Sequence, residues 1–203
     1  MKFKSEYKSN YFRKRINNNN SELSETPTFP KNALIEVSNA CNHACVFCSN
    51  STMLRSVGTL DLDLFEKFIK EAVKNNLQEV GLYSTGEPLI TKNLDKYIMI
   101  AKKNGVQRVY ITTNGSLATL EKIKLLKNSG LDSLKFSINA ATEDTYKIIH
   151  GKNDFKKVIN NVKQIYDWKN NNNIKLQMLA TFVYTKLTEK ELPLFKEEYA
   201  KYF

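Results

Sequence analysis

Three cysteines, Cys41, Cys45 and Cys48, lie within eight residues of one another, and the 203-residue chain has no others. An odd, tightly packed set cannot form a disulfide framework; clustered thiols of this kind bind metal or do redox chemistry. The spacing C-x3-C-x2-C, read as Cys41-Asn42-His43-Ala44-Cys45-Val46-Phe47-Cys48, lets one loop wrap three thiolates round a single centre. A structural zinc site wants a closed set of four ligands, whereas three thiolates on a four-iron cluster leave one iron open to an exogenous ligand. His43 is the nearby candidate for closing a zinc site. Two residues from Cys41 inside the same loop, it is badly placed to reach the same ion and is expected to pack on the surface instead.

Three further short motifs carry polar or special-backbone residues: Thr85-Gly86-Glu87-Pro88, Thr113-Asn114-Gly115 and Ser137-Ile138-Asn139-Ala140. Taken singly each has a plain reading. Gly-Glu-Pro is an ordinary strand-to-helix turn in which Pro88 fixes φ, Asn114-Gly115 is a left-handed turn, and Ser137 and Asn139 terminate a strand. His150, beside Gly151, reads as an exposed turn residue, and the single Trp168 as core or half-core. No general base is identifiable.

The elements that must position these residues follow from periodicity. Ala33 to Ser38 is a β-branched run feeding the cysteine loop. Asp61 caps a helix to about Asn75 with the stripe Leu64, Phe65, Phe68, Ile69, Ala72 and Val73. Val80 to Ser84, Val109 to Thr112, Leu134 to Ile138 and Ile174 to Tyr184 are the next strands. Helices at Lys92–Lys103, Thr119–Asn128, Asp154–Asn170 and Glu189–Phe203 fall between and after them, with Gly105 and Gly130 as stops. Strands alternating with helices predict right-handed βαβ units and a parallel sheet, either an incomplete barrel or an open doubly wound sheet. In both, ligands bind at the carboxyl ends of the strands, and all four motifs fall there.

Together the four motifs resemble the radical S-adenosylmethionine (SAM) superfamily. Its signature is this cysteine spacing with an aromatic, here Phe47, before the third cysteine; Thr85-Gly86-Glu87-Pro88 is similar to its Gly-Gly-Glu-Pro turn, with Thr85 departing from the first Gly. The resemblance runs from about Ala33 to Val183 and is nearest to the branch of molybdenum-cofactor cyclases and SPASM-type maturases, in which Tyr146, Gly151, Phe155 and Asn161 also fall in place. It implies an α/β fold, a partial (β/α) barrel of parallel strands truncated after about five βα units. Residues 31–203 would be the core domain, incomplete at its C-terminus, after a mobile basic arm at 1–30. Cys41, Cys45 and Cys48 would hold a [4Fe-4S] cluster whose open iron is chelated by SAM. Phe47 would lie near the adenine, Gly86 and Glu87 would position the methionine ammonium, Ser137 and Asn139 would meet the ribose or carboxylate, and Thr113 and Asn114 would line the cavity. The implied reaction is reductive cleavage of SAM to a 5′-deoxyadenosyl radical that abstracts hydrogen from an unidentified peptide, cofactor precursor or sugar. A one-electron donor of flavodoxin or ferredoxin type is the implied partner. A partner or downstream segment completing the barrel is a second.

Composition is globular, with 41% hydrophobic and 26% charged residues, and no run reaches the roughly 18 apolar residues of a membrane span. The basic start lacks a following apolar region, so it is not a secretory signal, and a cytoplasmic location is expected. The net charge of +10 is spread along the chain, mostly as Lys, without an aromatic-interleaved stripe, which argues against a nucleic-acid partner. Two other readings remain at this point: an inactive remnant or interaction module that binds SAM without cleaving it, and a zinc-binding nucleic-acid protein.

Overall fold

The computed structural model describes residues 29–203. Of the arm assigned to residues 1–30, only Phe29 and Pro30 fall among them. Five strands, β1 (Asn32–Leu34), β2 (Glu79–Gly81), β3 (Arg108–Thr113), β4 (Ser133–Ser137) and β5 (Gln177–Thr181), form one sheet in the order β1-β2-β3-β4-β5. Every pairing is parallel. A doubly wound sheet reverses its strand order at a switch point; this one never does, so the partial barrel is the arrangement adopted.

Helices α1 (Leu62–Lys74), α2 (Leu94–Lys103) and α3 (Leu120–Asn128) follow β1, β2 and β3. After β4 come two, α4 (Glu143–His150) and α5 (Phe155–Asn171), and α6 (Glu191–Tyr199) follows β5. Asp61 caps α1 as expected, its carboxylate accepting from the Asp63 and Leu64 amides. Only Phe65, Ile69 and Ala72 of the expected stripe are buried, while Leu64 and Phe68 are exposed. A helix lying on a sheet with α2 beside it hides a narrow seam, and the flanks of the stripe stay in water.

Helix α4 is absent from the periodicity reading because eight residues hold too few apolar positions to show a period. Its ends were nonetheless marked. The Thr142 hydroxyl accepts from the Thr145 amide, Glu143 and Asp144 occupy the first turn, and Gly151 takes φ +65° at the C-cap. The strands are shorter than the apolar runs. Ile35 N–H still donates to Gly81 O at 2.8 Å and Leu82 N–H to Tyr110 O at 2.9 Å, after which the chains splay into the loops that carry the motifs.

The two faces of the sheet differ. Val80, Val109, Ile111, Leu134, Phe136 and Met178 pack beneath the helices as the core. The other face carries Tyr83, Tyr110, Thr112, Lys135, Ser137 and Thr181, half-buried. Parallel sheets covered by helices on both sides read as continuous apolar runs. The strict alternation of β3 therefore means that its inner face is not covered by a second helix layer. On that face Tyr110 donates to Asn32 Oδ1 at 2.9 Å and the Lys135 ammonium lies 5.4 Å from the Tyr83 ring centre. Among the described residues no helix is long and apolar enough to cross a membrane.

Candidate metal centre and its surroundings

The cysteine loop leaves β1 at the carboxyl edge of the sheet and is laced to its neighbours by backbone and amide groups. Glu87 N–H donates to Ala40 O at 2.8 Å, and the last turn of α4 accepts Ala44 N–H on His150 O and Val46 N–H on Ile149 O. Three asparagines do the rest. Asn39 spans to Ser56 O and Gly58 N, Asn42 exchanges amide contacts with Asn114 and Ser116, and Asn50 donates to Asn39 O and Thr85 O. An amide side chain both donates and accepts, which suits it to closing irregular backbone where no ladder is available. These asparagines were not singled out from the sequence; their density around the cysteines is the signal that could have found them.

The three thiols are half-buried, and none is paired in a disulfide. Burial pushes the Cys45 thiol up to about 12, with the neighbouring Cys41 and Cys48 raising it further. Burial likewise raises Cys41, helped by Glu87 and Cys48. Each of these shifts is what a bound cation would reverse, so the donor set fits a cationic centre held by thiolates.

The turn after β2 contributes Gly86 and Glu87. A Cβ on Gly86 would lie 2.1 Å from Ser38 O and 2.8 Å from Ala40 O, so the glycine is required by the entry of the cysteine loop itself. Glu87 is buried, and its carboxylate accepts from Thr113 Oγ1 and Asn114 N, both at 2.7 Å, and from Leu89 N at 3.0 Å. Burial raises its pKa against the pull of those donors. Thr113 and Asn114 are thereby joined to Glu87, and Asn114 in turn to Asn42. At the end of β4, Ser137 Oγ meets Thr181 Oγ1 at 3.1 Å on the inner face. Asn139, at φ +57°, is buried and accepts from Val183 N at 2.9 Å. Phe47 is 42% exposed.

The structure thus brings the four motifs to one end of the sheet and spends the side chains of Glu87, Thr113, Asn114 and Asn139 on binding loops together. Thr85, the departure from the family's glycine, is recruited likewise: its hydroxyl and amide donate to Glu36 Oε1, and Arg55 bridges both residues. Burial alone would raise the Glu36 pKa, but the Arg55 and Thr85 hydrogen bonds overcome it and hold the carboxyl below its ordinary value. A carboxyl with a lowered folded-state pKa stabilises the fold above the unfolded value near 4.5 and loses that contribution as pH falls through the folded value. Acid titration of the melting temperature is therefore expected to show a step below about pH 4.5 that Glu36→Gln removes. The step should be on the order of 1 kcal/mol or less because Arg55 is half exposed. An unchanged profile in the variant would refute the clamp.

Two histidines depart from expectation. His43 is buried rather than packed on the surface, with Nε2 3.2 Å from Asp154 Oδ2. His150 is buried at the end of α4 rather than exposed in a turn. Its Nε2 donates to Ile138 O at 2.7 Å, its Nδ1 lies 3.4 Å from Cys45 Sγ, and its ring stacks on Tyr146 at 4.2 Å. Burial pushes His150 down to about 4 and His43 below its ordinary value. The sequence placed both residues near Gly151 and the cysteines; what it lacked was α4, whose helical turn swings His150 inward.

A parallel partial barrel with a thiol-rich loop at the carboxyl ends of its strands defines a class of metal-dependent α/β proteins. Residues 35–186 match the family model of the Radical SAM superfamily, and the chain belongs to that superfamily. It is 33% identical over 133 residues to an uncharacterized protein of Methanocaldococcus jannaschii, covering 64% of this chain and 41% of that one. With a probable GTP 3′,8-cyclase of Saccharolobus solfataricus the identity is 32% over 133 residues, covering 66% and 42%. The chain therefore spans about two fifths of the length of these curated relatives. Streptococcus suis SuiB bound to S-adenosylmethionine shares the fold at a TM-score of 0.69 and 19% identity, over 84% of this chain and 38% of that one. Membership brings the superfamily's cofactors, a [4Fe-4S] cluster and SAM.

Proposed function

We propose that this chain forms the core of a radical SAM enzyme in which Cys41, Cys45 and Cys48 hold the [4Fe-4S] cluster. What supports the reading above all is the donor set: three half-buried thiols of one loop, with Cys41 and Cys48 near enough to help push the Cys45 thiol up, at the carboxyl end of a sheet of this family's fold. When bound, the cluster and SAM would supply one-electron reductive cleavage, releasing methionine and giving a 5′-deoxyadenosyl radical able to take a hydrogen atom from the substrate. The chain's own residues bind, orient and exclude water.

Phe47 offers its exposed ring to the adenine, and Gly86, whose side-chain direction is filled by Ser38 O and Ala40 O, turns its half-buried peptide to the methionine moiety. Ser137 turns its hydroxyl to the inner face, where a ribose or carboxylate can meet it. Glu87, Thr113, Asn114 and Asn139 act one step behind, holding the loops at fixed spacing so that SAM meets an already ordered wall. The substrate lies over the half-buried polar face of the sheet, where Tyr83, Tyr110, Thr112 and Lys135 select a polar molecule that carries negative charge. The Thr112 hydroxyl is buried there without a hydrogen-bond partner among the described residues, a position a ligand can satisfy. The electron comes from a flavodoxin- or ferredoxin-type donor.

Anaerobic reconstitution is expected to give a brown protein with about four irons per chain. Dithionite with SAM should then yield 5′-deoxyadenosine and methionine. A protein that binds SAM and loads iron without cleavage is the inactive remnant; one that loads no iron refutes the assignment of the cysteines.

A further inference from the structure

The three thiols of the cysteine loop are not held alike. Around Cys45 the frame is backbone: Ala44 N–H and Val46 N–H donate to the last turn of α4, and Cys48 N–H donates to Cys45 O. Before Cys41 it is backbone too, with Glu87 N–H on Ala40 O at 2.8 Å. After Cys41 the hold passes to the Asn42 side chain. Its Nδ2 donates to Ser116 Oγ at 2.8 Å, Ser116 Oγ donates to Asn114 Oδ1 at 2.8 Å, and Asn114 Nδ2 donates back to Asn42 Oδ1 at 2.9 Å. The ring is closed: each amide donates and accepts, and the hydroxyl does both. It is also anchored from behind. Ser116 N–H donates to Asn114 Oδ1 at 3.0 Å, Asn114 N–H to the Glu87 carboxylate at 2.7 Å, and Asn161 Nδ2 of α5 to Gly115 O at 2.9 Å. Ser116 is 1% exposed, so water does not compete for its hydroxyl.

What the ring governs is the short run of peptide just after Cys41. The backbone N–H groups of His43 and Asn42 hydrogen-bond the Cys41 sulfur and draw its pKa down against the effect of burial. We infer that Asn42 and Ser116 are positioning residues that keep these two N–H donors aimed at the Cys41 sulfur and thereby set the reduction potential of the cluster. The inference rests on the reading of Cys41, Cys45 and Cys48 as cluster ligands. A hydrogen bond to a ligating sulfur draws off negative charge, which favours the reduced, more negative state and raises the potential. Donors on irregular loop backbone keep their aim only while the peptide planes are fixed. The ring fixes them through the side chain of the residue between Cys41 and His43. Contacts one layer behind the ligands orient and tune metal sites in this way. Cys48 takes its own amide, Asn50 N–H at 3.5 Å, from the turn that follows it. The Cys41 donors depend instead on a turn 72 to 74 residues further along the chain.

The full chain is reconstituted anaerobically as wild type, Asn42→Ala, Ser116→Ala, the double variant and Asn39→Ala, and the midpoint potential of each loaded cluster is read by EPR-monitored redox titration. Asn42→Ala is expected to shift the potential to a more negative value. Ser116→Ala leaves the Asn114–Asn42 bond in place, so it should shift the potential less and should still load iron if Asn42→Ala does not. The double variant should go no further than Asn42→Ala, because both changes act through one ring. Asn39→Ala loosens the same loop at Ser56 and Gly58. It should lower the melting temperature and leave the potential unchanged. Proton ENDOR of the reduced cluster, compared in H2O and D2O, should show exchangeable couplings that weaken in Asn42→Ala and persist in Asn39→Ala. Wild-type potential and couplings in both ring variants, or an equal shift in Asn39→Ala, overturns the inference and leaves the cysteine assignment standing. A wild-type protein that loads no iron overturns that assignment and the inference with it.

Discussion

Replacing any one of Cys41, Cys45 or Cys48 with alanine is expected to reduce cluster loading to background. Each supplies one of only three cysteine thiolates in the chain, and a four-iron cluster held by two protein sulfurs loses both a bond and the charge that balances its irons. The loop would survive the change, because its frame is made mainly by Asn39, Asn42, Asn50 and the last turn of α4, with only long sulfur contacts from Cys48 to Asn50 N and from Cys45 to His150. Iron analysis and the visible spectrum after anaerobic reconstitution read the loss, and an unshifted melting temperature of the apoprotein separates it from misfolding. Full iron content in any of the three variants would show that the cysteines are not the ligands.

Gly86→Ala is expected to be the most damaging single-methyl change in the chain. The added Cβ would stand 2.1 Å from Ser38 O and 2.9 Å from Asn39 C, which are backbone atoms that cannot rotate aside. Relief requires moving the β2 turn or the entry of the cysteine loop, and the Glu87 N–H to Ala40 O bond ties the two together. Overpacking of this kind costs about 3 kcal/mol or more at a rigid contact. The variant should melt well below the wild type and load little iron. Gly58→Ala is the control, since nothing lies within 4 Å of the Cβ it would add. Equal stability of the two variants, within about 0.5 kcal/mol, would mean that the close approach does not exist.

Both outcomes concern motifs visible before any folding is considered, yet the reasons differ. Cysteine spacing is a local property, and three thiols within eight residues of loop have few ways to avoid one another. The glycine was legible as a special position but its cause was not. From the sequence the close approach is that of a cofactor; in the folded chain the approaching atoms are Ser38 O and Ala40 O, some 46 residues earlier. Glu87 was likewise legible as an acceptor, while the donors that fix it in the folded chain, Thr113 and Asn114, come from the next strand end. Short polar motifs that look like ligand contacts also hold separate βα loops to one another.

The sequence by itself determined the alternation of strand and helix, the parallel sheet and the gathering of four motifs at its carboxyl edge, because periodicity and caps are written in residues a few positions apart. Strand order, which chose the partial barrel over the doubly wound sheet, was decided only by pairing across the chain, as was the polar inner face. The His43–His150 pair is the clearest case. Residues 107 apart cannot announce that they share a point in space, and only α4, too short to show a period, turns His150 inward so that two imidazole rings and a sulfur meet.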